Sequence, residues 1–208
     1  MNIDPSYYPL TVRVFPISGA VLYPRMLLPL HIFEERYKLL VNEALKGDRR
    51  LAVSLLRKDP GDIVVPSTVC GLGEIVELQE LDRGEKNILV RGLSRIEIGE
   101  IAEEVPYVRA RARVLQEVGG TAMYSARRRQ ALKQLAQQFL FLVNAKETMS
   151  LTNFFSFVTN GGFLTDFVAY YLLEDLRTKQ ELLEILDVDE RMRRAHQVLE
   201  AALQLLDP

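Results

Sequence analysis

Few side chains in this chain of 208 residues combine the type and the spacing that covalent or acid–base chemistry needs. The two histidines, His31 and His196, are the natural general-base candidates, since imidazole titrates near neutrality. His31 stands in Leu28-Pro29-Leu30-His31-Ile32-Phe33, where an extended run turns into a helix, so local hydrogen bonding at a corner accounts for it better than catalysis. His196 follows Arg193 and Arg194 on an amphipathic helix and reads as part of a solvated face. The single cysteine, Cys70, would need a base or a positive field beside it to act as a nucleophile. Its apolar neighbours Val69 and Leu72 point instead to a buried structural thiol. The carboxylate pairs Glu103-Glu104 and Asp189-Glu190 fall in loop and helix-start contexts, where solvation or capping explains them.

The motifs of larger catalytic machines are missing. The chain contains no Gly-Lys pair, hence no phosphate-cradling G-x-x-x-x-G-K-[ST] loop. It has no G-x-S-x-G elbow, and Gly71-Leu72-Gly73 runs into a strand rather than a helix. No H-E-x-x-H or paired C-x-x-C offers a metal site. We therefore expect no catalytic residues, no cofactor and no bound metal.

Two constellations suit binding. Arg109, Arg111 and Arg113 alternate on Tyr107–Leu115, a strand whose other face is Val108, Ala110, Ala112 and Val114. Alternate strand residues stand about 7 Å apart, close to the phosphate repeat of an extended single-stranded nucleic acid. Cross-strand pairing with acids such as Glu97, Glu77 or Glu80 is the plainer account, and we favour it. The second constellation is aromatic: seven of the nine phenylalanines lie between 139 and 167, including Phe154, Phe155, Phe157 and Phe163. Three rings at 154, 155 and 157 spread over more than half of a helix circumference, so one face cannot bury them all. Most belong in a core; the remainder could form a groove for apolar peptide segments.

These residues need elements to hold them. The alternation in Leu10–Phe15, and the runs Met26–Leu30, Leu51–Leu56, Gly73–Leu81, Lys86–Arg91, Ser94–Ile101 and Tyr107–Leu115, predict short strands forming a small antiparallel barrel. Asp82–Glu85 reads as a hairpin turn, Lys58–Gly61 as a loop, and Gly92-Leu93 as a break. One helix is inserted: Phe33, Tyr37, Leu40, Val41, Ala44 and Leu45 recur at helical spacing, with Gly47 placed to end it in the left-handed conformation. After Gly119-Gly120 the period becomes helical throughout. A long helix carries Leu132, Leu135, Ala136, Phe139, Leu140 and Val143. A shorter one, capped by Ser150 or Thr152, is expected to end at Gly161-Gly162. Another spans Phe163–Arg177, and Thr178–Glu181 forms a capping box for the next. The last begins at Asp187 with a narrow seam of Val188, Met192, Ala195, Leu199, Ala202 and Leu206, suited to packing on another helix or on a second copy of the chain.

Composition agrees with a globular protein: 48% hydrophobic, 26% charged and a net charge of −2. That balance gives no global attraction to nucleic acid or acidic lipid. The N-terminus has no signal-peptide pattern, and Arg25, His31 and two prolines interrupt the richest apolar run, Val21–Ile32. With one cysteine no intrachain disulfide forms, so a cytoplasmic protein without membrane contact is expected.

The stretch Phe15–Val53 carries a more specific pattern. It holds Phe15-Pro16, Tyr23-Pro24, then Leu28-Pro29-Leu30-His31-Ile32-Phe33-Glu34-Glu35-Arg36-Tyr37, then Gly47-Asp48-Arg49-Arg50. This resembles the opening of the N-terminal, substrate-binding domain of the Lon protease family, with its F-P, F-P-G, L-P-L-x-I-F-E-x-R-Y and G-D-x-R. Downstream, Gly73–Val76, Asn87–Gly92 and Leu182–Arg191 are similar to that family's hairpin and closing segment. Arg25 stands where the family usually has glycine, and Cys70 stands near another such position.

The resemblance implies an α+β fold. A small PUA-like antiparallel β-barrel with one inserted helix would occupy 1–118, followed by a C-terminal helical bundle over 121–208. It implies a non-catalytic module that recognises unfolded or extended polypeptide segments, as an adaptor. With the chain ending at Pro208 and no phosphate loop, we expect a stand-alone form lacking the ATPase and the Ser-Lys protease. Phe154, Phe155, Phe157 and Phe163 are the expected peptide-binding residues. The alternative is an RNA-binding PUA-like module using Arg109, Arg111 and Arg113. A homodimer through the last helix is a further expected partnership.

Overall fold

The computed structural model describes residues 10–58, 64–120, 123–143, 155 and 157–206. The chain divides into two compact units, Met1–Leu115 and Gln116–Pro208. The first unit contains β1 (Leu10–Ile17), β2 (Leu27–Ile32), α1 (Glu35–Lys46), β3 (Arg50–Lys58), β4 (Val64–Pro66), β5 (Val69–Glu80), β6 (Lys86–Glu103) and β7 (Arg109–Val114). The strands follow the order β1-β7-β6-β5-β3-β4, and β1 also pairs with β3. Five strands thus form a closed ring, with β4 attached to β3 and β2 attached to β6. The expected antiparallel pattern holds except at the β1–β3 pair, which is parallel. Parallel neighbours need a long crossover, and β2 with α1 supply it.

β6 is one strand of 18 residues, where a break at Gly92-Leu93 was expected. Its first half lies between β2 and β5, and its second half between β5 and β7. Gly92 serves close approach rather than interruption. A Cβ on Gly92 would overlap the Tyr23 carbonyl oxygen, and one on Gly71 would overlap that of Leu22. The connection from β1 to β2 therefore presses directly on the sheet, with Val21, Leu22, Tyr23 and Met26 all buried. Backbone hydrogen bonds fix it there: Arg25 N–H donates to Gly92 O, and Gly92 N–H to Met26 O, each at 2.8 Å. Arg25 takes the left-handed conformation itself, with φ of 67°. After α1 the left-handed residue is Arg49 (φ 60°), whereas Gly47 has φ of −116°. Gly47 is the cap, as expected, its N–H donating to Ala44 O at 3.1 Å; only the left-handed conformation falls two residues on, at Arg49, whose N–H also reaches Ala44 O, at 2.8 Å.

Strand alternation sends side chains to two apolar clusters. Phe15, Leu51 and Val53 join Leu28, Leu30 and Ile32 of β2 and Tyr37, Leu40, Val41 and Ala44 of α1. The intervening Val14 and Ala52 join Val12, Cys70, Leu72, Ile96, Ala110 and Ala112. Small residues dominate this second cluster.

The second unit contains α2 (Met123–Val143), α3 (Gly161–Tyr171), α4 (Leu176–Glu184) and α5 (Val188–Leu206). Gly161-Gly162 opens α3 instead of ending the preceding helix, because the Asn160 side chain caps it by accepting from Phe163 N–H at 2.8 Å. The helix expected over Phe163–Arg177 is two helices, since Asp175 caps a new start by accepting from Thr178 N–H at 2.7 Å. That cap also replaces the expected capping box at Thr178. Asp187 caps α5, accepting from Asp189 and Glu190 N–H. Ser150, Thr152 and the loop residues Asp59–Gly61 lie outside the described residues. The α5 seam is occupied within the unit: Val188, Met192, Ala195 and Leu199 are buried, and α5 packs on α2 and α3.

The glycine contacts generate a stability prediction. Gly92→Ala should lower the unfolding free energy by about 2–4 kcal/mol, because backbone rather than a flexible side chain meets the new methyl. Gly19→Ala, with open space around it, should change stability by less than about 1 kcal/mol. Denaturant unfolding of both variants checks this; equal effects would contradict the close-approach role.

Candidate functional site

Among the described residues β2 pairs along one edge only, with β6. Pro29, in its middle, has no N–H to give to a further strand. Pro16 likewise interrupts the donor row near the end of β1. Where β1, β2 and the start of α1 come together, they leave a groove of about 420 Å³. Phe15, Ile17, Leu30, Ile32, Phe33 and Tyr37 supply its apolar walls, with Leu56 of β3 and the two prolines. Phe15 and Tyr37 pack with ring centroids 4.7 Å apart. Phe33 stays 59% exposed at the helix entry, at the rim of the groove.

The polar groups around the groove are engaged with one another. His31 Nδ1 lies 2.9 Å from Asn87 Oδ1, and Nε2 lies 3.3 Å from Glu85 Oε2. Its ring stacks on Phe33 at 5.9 Å. Arg36 pairs with Glu34 at 2.8 Å and lies over the Tyr37 ring at 4.5 Å. Burial raises the Tyr37 phenol above its ordinary pKa; the Arg36 charge opposes this, and Glu34 adds to it. No base is aimed at a nucleophile here. The arrangement is suited to holding an apolar chain between hydrogen-bonded rims.

The aromatic candidates separate. Phe154 lies outside the described residues. Phe155 is fully buried and meets Phe167 edge-on at 5.5 Å, so it belongs to the core of the second unit. Phe157 is 84% exposed. Half-buried Phe163 starts a ladder along α3, with Phe163–Phe167 at 6.5 Å and Phe167–Tyr171 at 4.6 Å. The ladder follows the four-residue helical step, with Tyr171 exposed at its end.

The arginines are mostly paired. Arg113 Nε donates to Glu97 at 2.6 Å, and Arg109 lies 3.4 Å from Glu103. Arg111 is exposed and reaches Thr11 Oγ1 at 3.4 Å. Cys70 is fully buried, and desolvation pushes its thiol pKa upward. His196 lies 3.9 Å from Glu200, one helical turn away. Sequence reasoning missed the groove because its residues form the same F-P and L-P-L pattern that marks core and corner. The two strand prolines and the aromatic before α1 were the available signal.

The described residues thus give a strand ring with one inserted helix and an apolar groove. Comparison with known proteins specifies the class of domain. The family model of the ATP-dependent protease La (LON) substrate-binding domain matches residues 11–201. Lon protease of Dictyoglomus thermophilum is 28% identical over 202 residues, covering 96% of this chain and 25% of that protein. Lon protease of Syntrophus aciditrophicus is also 28% identical, over 96% of this chain and 26% of its own length. The N-terminal domain of Mycobacterium avium complex Lon protease superposes with a TM-score of 0.77 at 18% identity, covering 92% of this chain and 98% of that one. A Lon N-terminal domain protein from Xanthomonas campestris gives 0.65 at the same identity and coverage. The chain belongs to the Lon substrate-binding domain family. It spans about a quarter of the length of the curated relatives it matches. Among the described residues no helix is long and apolar enough to cross a membrane.

The burial of Cys70 yields a direct check. An aromatic disulfide reagent should leave Cys70 unlabelled in the folded protein and label it fully in denaturant. Labelling at the rate of a free thiol under native conditions would contradict its core position.

Proposed function

We propose that this domain binds extended, apolar segments of unfolded polypeptide, in the groove between β1, β2 and α1, and presents them as an adaptor. One observation carries the reading: an apolar groove runs beside a strand that, among the described residues, pairs on a single edge. An extended chain fits such a place in two ways. Its side chains cover Phe33 and the groove walls, and its backbone can meet polar groups at the strand edge. The membership in a substrate-binding family supports the same class of ligand. Phe157 and the Phe163–Tyr171 ladder offer a second apolar contact surface on the helical unit.

An RNA-binding role for Arg109, Arg111 and Arg113 has weaker support. Two of the three are neutralised by carboxylates on β6, and no row of rings interleaves them.

Anisotropy with a fluorescent apolar peptide tests the choice. Phe33→Asp should weaken binding about tenfold or more, since covering one aromatic side chain contributes about 1.5–3 kcal/mol. The triple change of Arg109, Arg111 and Arg113 to Glu should leave affinity within about twofold, and added salt should alter it little. Loss of binding in the folded arginine variant, with Phe33→Asp unaffected, would transfer the site to β7.

A further inference from the structure

We propose that the open edge of β2 takes its polypeptide segment as an added strand and reads the segment's backbone, requiring N–H groups on two residues separated by one. This rests on the reading of the groove as a polypeptide site and names the class of segment it accepts. β2 runs antiparallel to β6, with Leu27 opposite Arg91 and Ile32 opposite Lys86. In such a pair, alternate residues turn both backbone groups toward the partner strand, and the residues between turn theirs away. The hydrogen bond from Gly92 N–H to Met26 O fixes the phase. Leu28, Leu30 and Ile32 therefore bond to β6, while Leu27, Pro29 and His31 face outward. Pro29 fits only on the outward side, because it has no N–H to give to the ladder.

The groove lies along this outward edge. Its walls include Pro29 and His31 from the exposed face of β2, and Leu30 and Ile32 from the buried face. Among the described residues none from β6 lines it, so the groove crosses β2 at the edge turned away from β6. The Pro29 carbonyl and both backbone groups of His31 meet no protein partner among the described residues. The edge thus offers two acceptors about 7 Å apart and one donor, with a gap where Pro29 lacks its N–H.

An extended chain complements that pattern in either direction. Running antiparallel, one residue exchanges both bonds with His31, and the residue two away donates to Pro29 O. Running parallel, one residue donates to Pro29 O and accepts from His31 N–H, and the residue two away donates to His31 O. Both arrangements use two N–H groups two residues apart. Alternate side chains of the segment then enter the apolar groove beside Leu30 and Ile32. A proline at either donor position would leave an edge carbonyl unpaired beneath the bound chain, whereas a proline between them turns its missing N–H away. The gap at Pro29 also keeps this edge from pairing indiscriminately with other strands. A sugar–phosphate backbone carries acceptors rather than a row of N–H donors, so it does not match.

The test uses the full chain and a peptide of threonines and valines around one central phenylalanine, whose ring fixes the register. Anisotropy is read for a series in which one backbone amide at a time is N-methylated. Two positions separated by one should each lose about fivefold or more in affinity, and N-methylation between them should change it by less than about twofold. Amide-to-ester replacement at the same two positions removes the N–H without adding a methyl, and should weaken binding as well. Hydrogen exchange locates the contact: saturating peptide should slow the His31 amide about tenfold or more, and should change the Leu30 amide, already bonded to β6, far less. Peptide binding with no such pair of sensitive positions, or with His31 exchange unchanged, would overturn this inference and leave the proposed function standing. Absence of binding by this peptide and by longer apolar peptides would overturn both. A His31 amide protected in the free protein at high concentration and exposed on dilution would assign the edge to a second copy of the chain instead.

Discussion

The strand unit depends on one close passage: Leu22 and Tyr23 lie against the sheet at Gly71, Gly73 and Gly92, where no Cβ fits. Because the chain crosses there, β2 emerges beside the first half of β6 and stays paired along that edge alone among the described residues. The second half of β6 is left for β7, and β1 reaches β3 to complete the ring. The groove follows from this routing: β2 and the end of β1 converge on the start of α1, and the prolines at 16 and 29 limit direct pairing between them. Glycine at three positions and a strained Arg25 are thus structural conditions for the candidate site, although none of them lines it.

The helical unit is organised around a buried charge. Arg191 is fully buried, donates to the Ile185 carbonyl at 2.6 Å, and faces Glu117 and Asp166. It links the start of α5 to α3 and to the segment before α2. Such a cluster fixes one arrangement of these elements, because losing either side would strand an uncompensated charge in the core. Gly162 sits against the same group: a Cβ there would lie 2.9 Å from the Glu117 carboxylate and 3.0 Å from the Arg191 guanidinium. The aromatic residues divide by burial: Phe155 is inside, Phe163 and Phe167 are half-buried, and Phe157 and Tyr171 lie at the surface.

Much of the strand unit was legible because its patterns are local. Alternation announced β1 and β7, an apolar run announced β3, and the helical period announced α1 with an error of two residues at most. The parallel β1–β3 contact was not legible, since it depends on a crossover rather than on either strand. Gly92 misled for a related reason: a glycine in a strand marks a break and a close approach with the same letter. In the helical unit, competing caps decided the boundaries. Asn160 and Asp175 outranked the Gly-Gly stop and the Thr178 box, and both motifs look equally good in isolation. The arginine row was readable in part: Arg113 pairs with Glu97 as expected, but Glu103, not Glu77 or Glu80, meets Arg109, and Glu80 pairs with Lys86. Phe155 and Phe157 were not separable, since two rings two residues apart on one short run carry no signal of which one faces the core.

The proposed role assigns extended apolar chain to the groove of the strand unit and leaves β7 outside the contact. Backbone amide shifts of the labelled protein, titrated with an apolar peptide, test this residue by residue. Shifts concentrated at 15–18 and 29–37 are the predicted result, with β7 silent. Shifts confined to 109–114, with the groove residues unmoved, would contradict it.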